Sequence, residues 1–149
     1  MTESTLRMVT RRMSQSPAGG ARSIYVGLRA ALRAPRWVSG ARLRSALEAE
    51  AAPDTRSLLV NDELVLALRV ASGAVRQLAK THTAWRDTCL YRSMAQYLVL
   101  KNFGKSAAIR IGVQSPNEAE LKAHSWVIYH GPESVQDGRE SFEELRFQS

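Results

Sequence analysis

The spacing of apolar residues changes once along this chain, and that change restricts the fold. Up to about residue 102 the apolar positions recur every three or four residues, which is helical spacing. Gly104 then provides a helix stop, and beyond it Ile109, Ile111 and Val113 alternate with polar or small residues, as in a strand. Helices followed by an antiparallel meander predict an α+β fold.

Four helices are predicted, over residues 23–34, 37–51, 62–80 and 89–102. Ser23 is the predicted N-cap of the first helix, and Pro35 its predicted end. The buried side of that helix is predicted to carry Ile24, Leu28, Ala31 and Leu32.

Two strands are predicted at residues 108–114 and 121–129, with a turn at 115–118 and a short third strand around 134–137. Residues 1–21 are interpreted as a mobile basic tail. Residues 22–149 are interpreted as one domain, with a helical part at 22–87 and a core of one helix and the strands at 88–149.

Composition excludes several broad classes. A chain of 149 residues with 44% hydrophobic content fits one folded domain and argues against wholesale disorder. No run reaches the roughly 18–20 apolar residues that a membrane span needs. The single cysteine excludes an internal disulfide, which is typical of a reducing cytoplasm. The first 21 residues lack the apolar run of a secretory signal, whereas their Arg and Ser content is shared with organellar transit peptides.

Positive charge is concentrated in the first third of the chain. The net charge is +7, and the first 44 residues contain nine arginines but one acidic residue, Glu3. Such a surface suits phosphate, an acidic peptide or anionic lipid. A solvated helix face with a basic tail is the alternative interpretation.

Cys89 is predicted to begin the fourth helix, with Thr88 as its N-cap. The free N–H groups and partial positive charge of a helix start favour a thiolate, which is the attacking form of cysteine. The same N–H groups are suited to hold an oxyanion. A lone cysteine that fills a small space in the core is the competing interpretation.

His124, on the second strand, is the predicted base that takes the thiol proton and later protonates a leaving amine. His82 and His130 compete less well, since one lies in a linker and the other beside a turn. The cysteine and the three histidines lack the paired short spacing of structural zinc sites, so no metal and no cofactor is expected.

Asp137 is the predicted hydrogen-bond partner that orients His124. Because Asp137 is followed by Gly138, a turn residue is the better interpretation from spacing alone. Glu133 and Glu140 are alternatives for the orienting role.

Three segments, taken in order, resemble one known family. They are Cys89-Leu90-Tyr91-Arg92-Ser93-Met94-Ala95, Ile109-Arg110-Ile111-Gly112-Val113 and Ala123-His124-Ser125-Trp126-Val127, followed by Asp137-Gly138. They are similar to the lasso-peptide leader peptidases, transglutaminase-like bacterial proteins related to the microcin J25 processing protein. The chain departs from that pattern at Tyr91, where proline is common, at Ser125, which replaces alanine, and in a longer turn at residues 131–134.

The resemblance implies a papain-like core, a Cys89, His124 and Asp137 triad, and cleavage of a ribosomally made lasso precursor in the cytoplasm. Trp85, Thr88 and Trp126 are predicted to lie beside the substrate or the oxyanion. It implies three partners: the precursor, a cyclase and a separate leader-binding protein, because the first part of the chain lacks the strands of a fused leader-binding domain. Arg33, Arg36, Arg42 and Arg44 are the predicted docking face for that protein or the leader; no nucleic acid and no membrane insertion are expected.

Two other functions stay open at this point. A transglutaminase-like acyltransferase would use the same residues but resolve the thioester with an amine instead of water. A basic binding module with an inactive site would bind nucleic acid or anionic lipid with a steep salt dependence and would not react with thiol-directed inhibitors.

Overall fold

The computed structural model describes residues 17–51, 62–84, 88–117, 120–129 and 143–144. The helices are α1 (Pro17–Trp37), α2 (Gly40–Glu48), α3 (Asp62–Thr81) and α4 (Cys89–Asn102). The strands are β1 (Ala107–Asn117), β2 (Glu120–Tyr129) and β3 (Glu143–Glu144). None of the helices in these ranges is both long and apolar enough to cross a bilayer.

The first helix is longer at both ends than the sequence predicts. Ser23 lies inside α1, where its buried hydroxyl donates to the Gly19 carbonyl at 2.9 Å, so it is not an N-cap. Pro35 also lies inside α1, and the Val38 N–H closes one more turn onto the Ala34 carbonyl at 3.0 Å. Pro35 has no N–H to continue the helical hydrogen bonds, and α1 ends two residues after it, at Trp37. Residues 17–21 of the predicted tail are therefore helical, and residues 1–16 lie outside the described part.

The buried side of α1 is made of small residues, so two of its predicted core positions were wrong. Leu28 is 45% exposed and Leu32 is 57% exposed. The side of α1 that faces the core carries Ser23, Val26, Gly27, Ala30, Ala31 and Ala34. A Cβ atom built on Gly27 would lie 2.7 Å from the Ala67 carbonyl oxygen of α3. The two backbones approach too closely for large side chains between them, which displaces the leucines outward.

The later helices agree better with the prediction. The second helix is shorter than predicted: residues 38 and 39 form a bend between Trp37 and Gly40, and the helix ends at Glu48. The ends of α3 and α4 match within one residue. α4 ends in a Schellman motif: Gly104, at φ +70°, donates to Lys101, and Lys105 donates to Leu100. The Gly104 stop is thereby confirmed.

The sheet is antiparallel with strand order β2-β1-β3. The third described strand, β3, therefore pairs with β1 and not with β2. β1 continues through the predicted turn as far as Asn117, with an irregular register between Gln114 and Asn117. The strand predicted at residues 134–137 lies outside the described residues.

One hydrophobic cluster joins the helices to one face of the sheet. Ile109, Val127 and Tyr129 belong to the same cluster as buried residues of α1, α3 and α4. The opposite sheet face meets α2, because Arg110 Nη1 donates to the Leu47 and Ala49 carbonyls at 3.0 and 3.2 Å. Helices packed on a small antiparallel sheet confirm the predicted α+β class.

Candidate active site at the start of helix α4

Cys89 is the first residue of α4, and Thr88 caps the helix as predicted. Thr88 has extended backbone angles, and its Oγ1 accepts a hydrogen bond from the Tyr91 N–H at 3.4 Å. The Thr88 carbonyl accepts from the Arg92 N–H at 3.2 Å. Within the described residues, the N–H groups of Cys89 and Leu90 remain as unused donors at this helix start. Such donors are suited to hold an anion beside the half-buried sulfur.

Two contacts set α4 against β2. Cys89 Sγ lies 4.0 Å from the Ala123 carbonyl oxygen, at the outer limit of a thiol hydrogen bond. One turn later, Ser93 Oγ donates to the Ser125 carbonyl at 3.0 Å, and the two buried hydroxyls are 3.2 Å apart. Four helical residues advance about 6 Å and two strand residues about 6.6 Å. The matching steps let α4 run along β2, so the serine pair fixes the sulfur relative to the strand.

Sequence reasoning missed the role of Ser93 and treated Ser125 only as a departure from the family pattern. A buried serine pair carries no recognisable spacing of its own. The only signal for it is that Ser93 follows Cys89 by four residues and therefore lies on the same side of α4.

His124 directly follows Ala123, whose carbonyl oxygen lies against the Cys89 sulfur. Its half-buried ring stacks on Trp126, with ring centroids 6.2 Å apart and planes inclined by 22°. His124 pairs across the ladder with Gly112, and Trp126 pairs with Arg110. Among the described side chains, Trp126 is therefore the neighbour of His124 along β2 on this sheet face, and the partner position on β1 is a glycine. Trp126 is buried, and its Nε1 has no hydrogen-bond partner among the described residues.

The remaining predicted site residues are placed as follows. Trp85 and Asp137 lie outside the described residues, as does the competing His130. His82 follows the end of α3 and is exposed. The structure places Thr88 and Cys89 at the start of α4, where the sulfur meets the Ala123 carbonyl of β2. His124 and Trp126 lie on β2, on the sheet face that they share with Arg110, whereas Ser125 between them contacts α4.

The predicted docking arginines lie on two helices. Arg33 and Arg36 are exposed on α1, and Arg42 and Arg44 are exposed on α2. The Arg42 guanidinium lies 5.3 Å from the centre of the Trp37 ring, a cation–π contact.

Burial raises the pKa of the Tyr97 hydroxyl, which therefore stays protonated at neutral pH. In the parts of the chain that the structure describes, no three His, Cys, Asp or Glu residues lie close enough together to hold a metal ion.

An α+β fold in which a cysteine begins a capped helix along a histidine-bearing strand is the architecture of papain- and transglutaminase-like proteins. The family described as "Transglutaminase-like superfamily" matches residues 23–146. The chain belongs to the transglutaminase-like superfamily, which includes cysteine peptidases and acyltransferases. Comparisons with curated proteins and with solved structures gave no match.

Proposed function

We propose that this chain is a cysteine peptidase that removes the leader from a lasso-peptide precursor. The observation that carries the proposal is the contact between Cys89, at the capped start of α4, and the strand residue that precedes His124. Membership of a superfamily with cysteine-dependent enzymes supports the general chemistry. The order of the motifs around Cys89 and His124 supports the narrower substrate.

In the proposed reaction, His124 takes the thiol proton of Cys89, and the sulfur attacks the carbonyl carbon at the leader–core junction. The N–H groups of Cys89 and Leu90 hold the oxyanion. When the tetrahedral intermediate collapses, the C–N bond breaks, and His124 gives its proton to the amine of the core peptide. Water then hydrolyses the thioester, which releases the leader as a carboxylate and restores the thiol.

Asp137 completes the proposed triad by accepting a hydrogen bond from the second ring nitrogen of His124. The free amine of the core peptide is the group that a separate ATP-dependent cyclase joins to an acidic side chain. A separate leader-binding protein delivers the precursor.

The test combines the chain with a lasso precursor and the leader-binding protein from the same gene neighbourhood, and analyses the products by mass spectrometry. We expect the wild type to yield leader and core fragments, and Cys89→Ala to yield none while it retains its circular dichroism spectrum. Since Cys89 is the only cysteine, loss of cleavage after alkylation by iodoacetamide reports on this one thiol. Undiminished turnover by Cys89→Ala would refute the mechanism.

The histidines provide a matched pair of variants. We expect His124→Ala to lower kcat by about 100-fold to 10,000-fold, as for loss of a general base. His82→Ala removes the same side chain from an exposed position after α3 and should leave kcat unchanged. Equal effects of the two substitutions would contradict a specific role for His124.

An acyltransferase is the second candidate, because the superfamily contains both kinds of enzyme. The mass of the leader fragment separates them. Hydrolysis adds one water across the cleaved bond, whereas transfer leaves the leader joined to an added amine such as glycine ethyl ester. A leader that carries the amine in preference to water would assign the chain to acyl transfer.

A further inference from the structure

The exposed side of α1 carries an apolar stripe with the spacing of a helix-packing seam. Tyr25, Leu28 and Leu32 are 62%, 45% and 57% exposed, and they are the exposed large hydrophobic residues of the described chain. If Tyr25 is given heptad position a, Leu28 falls at d and Leu32 at the next a. The positions a and d before them hold Ala18 and Ala21, which are also exposed.

One flank of this seam is lined only by arginine. Every e position of the helix holds one, namely Arg22, Arg29 and Arg36. Arg22 lies 5.6 Å from the centre of the Phe103 ring, whereas Arg29 and Arg36 form no ion pair within the described residues. No Asp or Glu occurs between Glu3 and Glu48, so this charge has no neutralising neighbour along the helix.

The other flank faces the protein itself. The g positions hold Ile24, which is half-buried, and Ala31, which is fully buried. Among the residues of α1, a helix lying on the seam therefore meets charge on the e flank and not on the g flank, and that charge is positive. Residues at e and g of packed helices select partners by opposite charge.

We infer that this seam docks an acidic amphipathic helix of another protein, with its apolar residues on Tyr25, Leu28 and Leu32 and its carboxylates opposite Arg29 and Arg36. The seam runs for about 27 Å from Ala18 to Arg36, at 1.5 Å per helical residue, which is the length of five turns. The inference does not rest on the chemistry proposed for Cys89.

Two other occupants fit the seam less well. A second copy packed antiparallel would place its arginines at e against these arginines, and a parallel copy would place them against Ile24 and Ala31. Neither arrangement supplies an opposite charge. A helix that lies on an anionic bilayer presents basic residues across a broad polar face opposite its apolar face. Here the face opposite the stripe is buried against α3.

The test uses two synthetic helical peptides of three heptads, both with leucine at a and d. One carries glutamate at e and g, and the other carries lysine there. Binding of each labelled peptide to the full chain is measured by fluorescence anisotropy at low and at physiological ionic strength. We expect the glutamate peptide to bind about tenfold or more tightly than the lysine peptide, since several flanking pairs change sign.

The variants separate the seam from the net charge. Arg29→Glu/Arg36→Glu should invert the preference between the two peptides. Arg29→Glu/Arg33→Glu makes the same change in net charge but alters only one e position, because Arg33 is an exposed residue at b. This variant should retain the wild-type preference for the glutamate peptide in weakened form. Leu28→Ser/Leu32→Ser should weaken binding of the glutamate peptide by about tenfold or more.

The proposal is overturned if the two arginine double variants behave alike, because binding would then depend on net charge alone. It is also overturned if neither peptide binds. Tighter binding of phosphatidylglycerol vesicles than of the glutamate peptide, through Leu28 and Leu32, would overturn it in favour of a membrane. A dimer in sedimentation that Leu28→Ser/Leu32→Ser dissociates would overturn it in favour of a second copy. Cys89→Ala should bind the peptide as the wild type does, so that failure of docking and failure of cleavage are seen separately.

Discussion

At the scale of single residues, Gly27 determines how closely α1 and α3 approach. An added Cβ would lie 2.7 Å from the Ala67 carbonyl and 2.8 Å from the Val70 side chain, and the first of these is rigid backbone. We expect Gly27→Ala to lower the free energy of unfolding by about 1–3 kcal/mol, as overpacking does. Urea denaturation of the purified chain measures it.

Gly73 provides the matched control for that substitution. It lies within α3, and a Cβ built on it has no heavy atom within 4 Å. Gly73→Ala should therefore stabilise the chain by about 0.4–1 kcal/mol, because alanine restricts the unfolded chain and favours the helix. Opposite signs at the two glycines are the expected result, and equal effects would contradict the close helix contact.

At the scale of elements, the cap of α4 holds the backbone around the nucleophile candidate. Thr88→Ala removes the acceptor of the Tyr91 N–H, so we expect a loss of about 1 kcal/mol in unfolding free energy. Thr88→Ser keeps the hydroxyl and should restore most of it. If serine and alanine prove equivalent in thermal and urea unfolding, the capping hydrogen bond does not contribute.

The sequence predicts the elements best where one face is broadly apolar. α3 and α4 follow this rule, and their ends were predicted within one residue. α1 does not, because its packed side depends on Gly27 and small residues, while Leu28 and Leu32 point outward. Periodicity shows which positions of a helix are apolar. It does not show which side of the helix lies so close to a neighbouring helix that large side chains cannot fit there.

The candidate site was predictable in its local parts and not in its long-range ones. The Thr88 cap and the Cys89 helix start follow from neighbouring residues. The serine pair that holds α4 on β2 joins positions 32 residues apart, and the β1–β3 pairing is equally non-local. Composition and periodicity contain no information about such register, which depends on tertiary packing. The role of Asp137 remains a prediction.

At the scale of the whole molecule, Arg110 ties α2 to the sheet. Its guanidinium donates to the Leu47 and Ala49 carbonyls, next to the end of α2. We expect Arg110→Met, which keeps the length of the side chain, to cost about 1–3 kcal/mol, because part-buried carbonyls lose a charged donor. Hydrogen exchange should accelerate in α2 more than in α3.

Arg76→Met is the control for that change, since Arg76 is exposed on α3. Surface substitutions of this kind usually change stability by less than about 0.5 kcal/mol. Uniform acceleration of exchange across all helices in Arg110→Met would show a general loss of stability and not the release of α2.

The contact between Cys89 and Ala123 spans 34 residues, and this has a consequence for the chain as it is synthesised. The sulfur leaves the ribosome well before the hairpin that carries the imidazole. A nascent chain that ends before β2 holds a thiol with no strand to lie against. The contact between the sulfur and β2 therefore forms only after β2, which ends at Tyr129, has been synthesised, so the thiol exists well before the site that would use it.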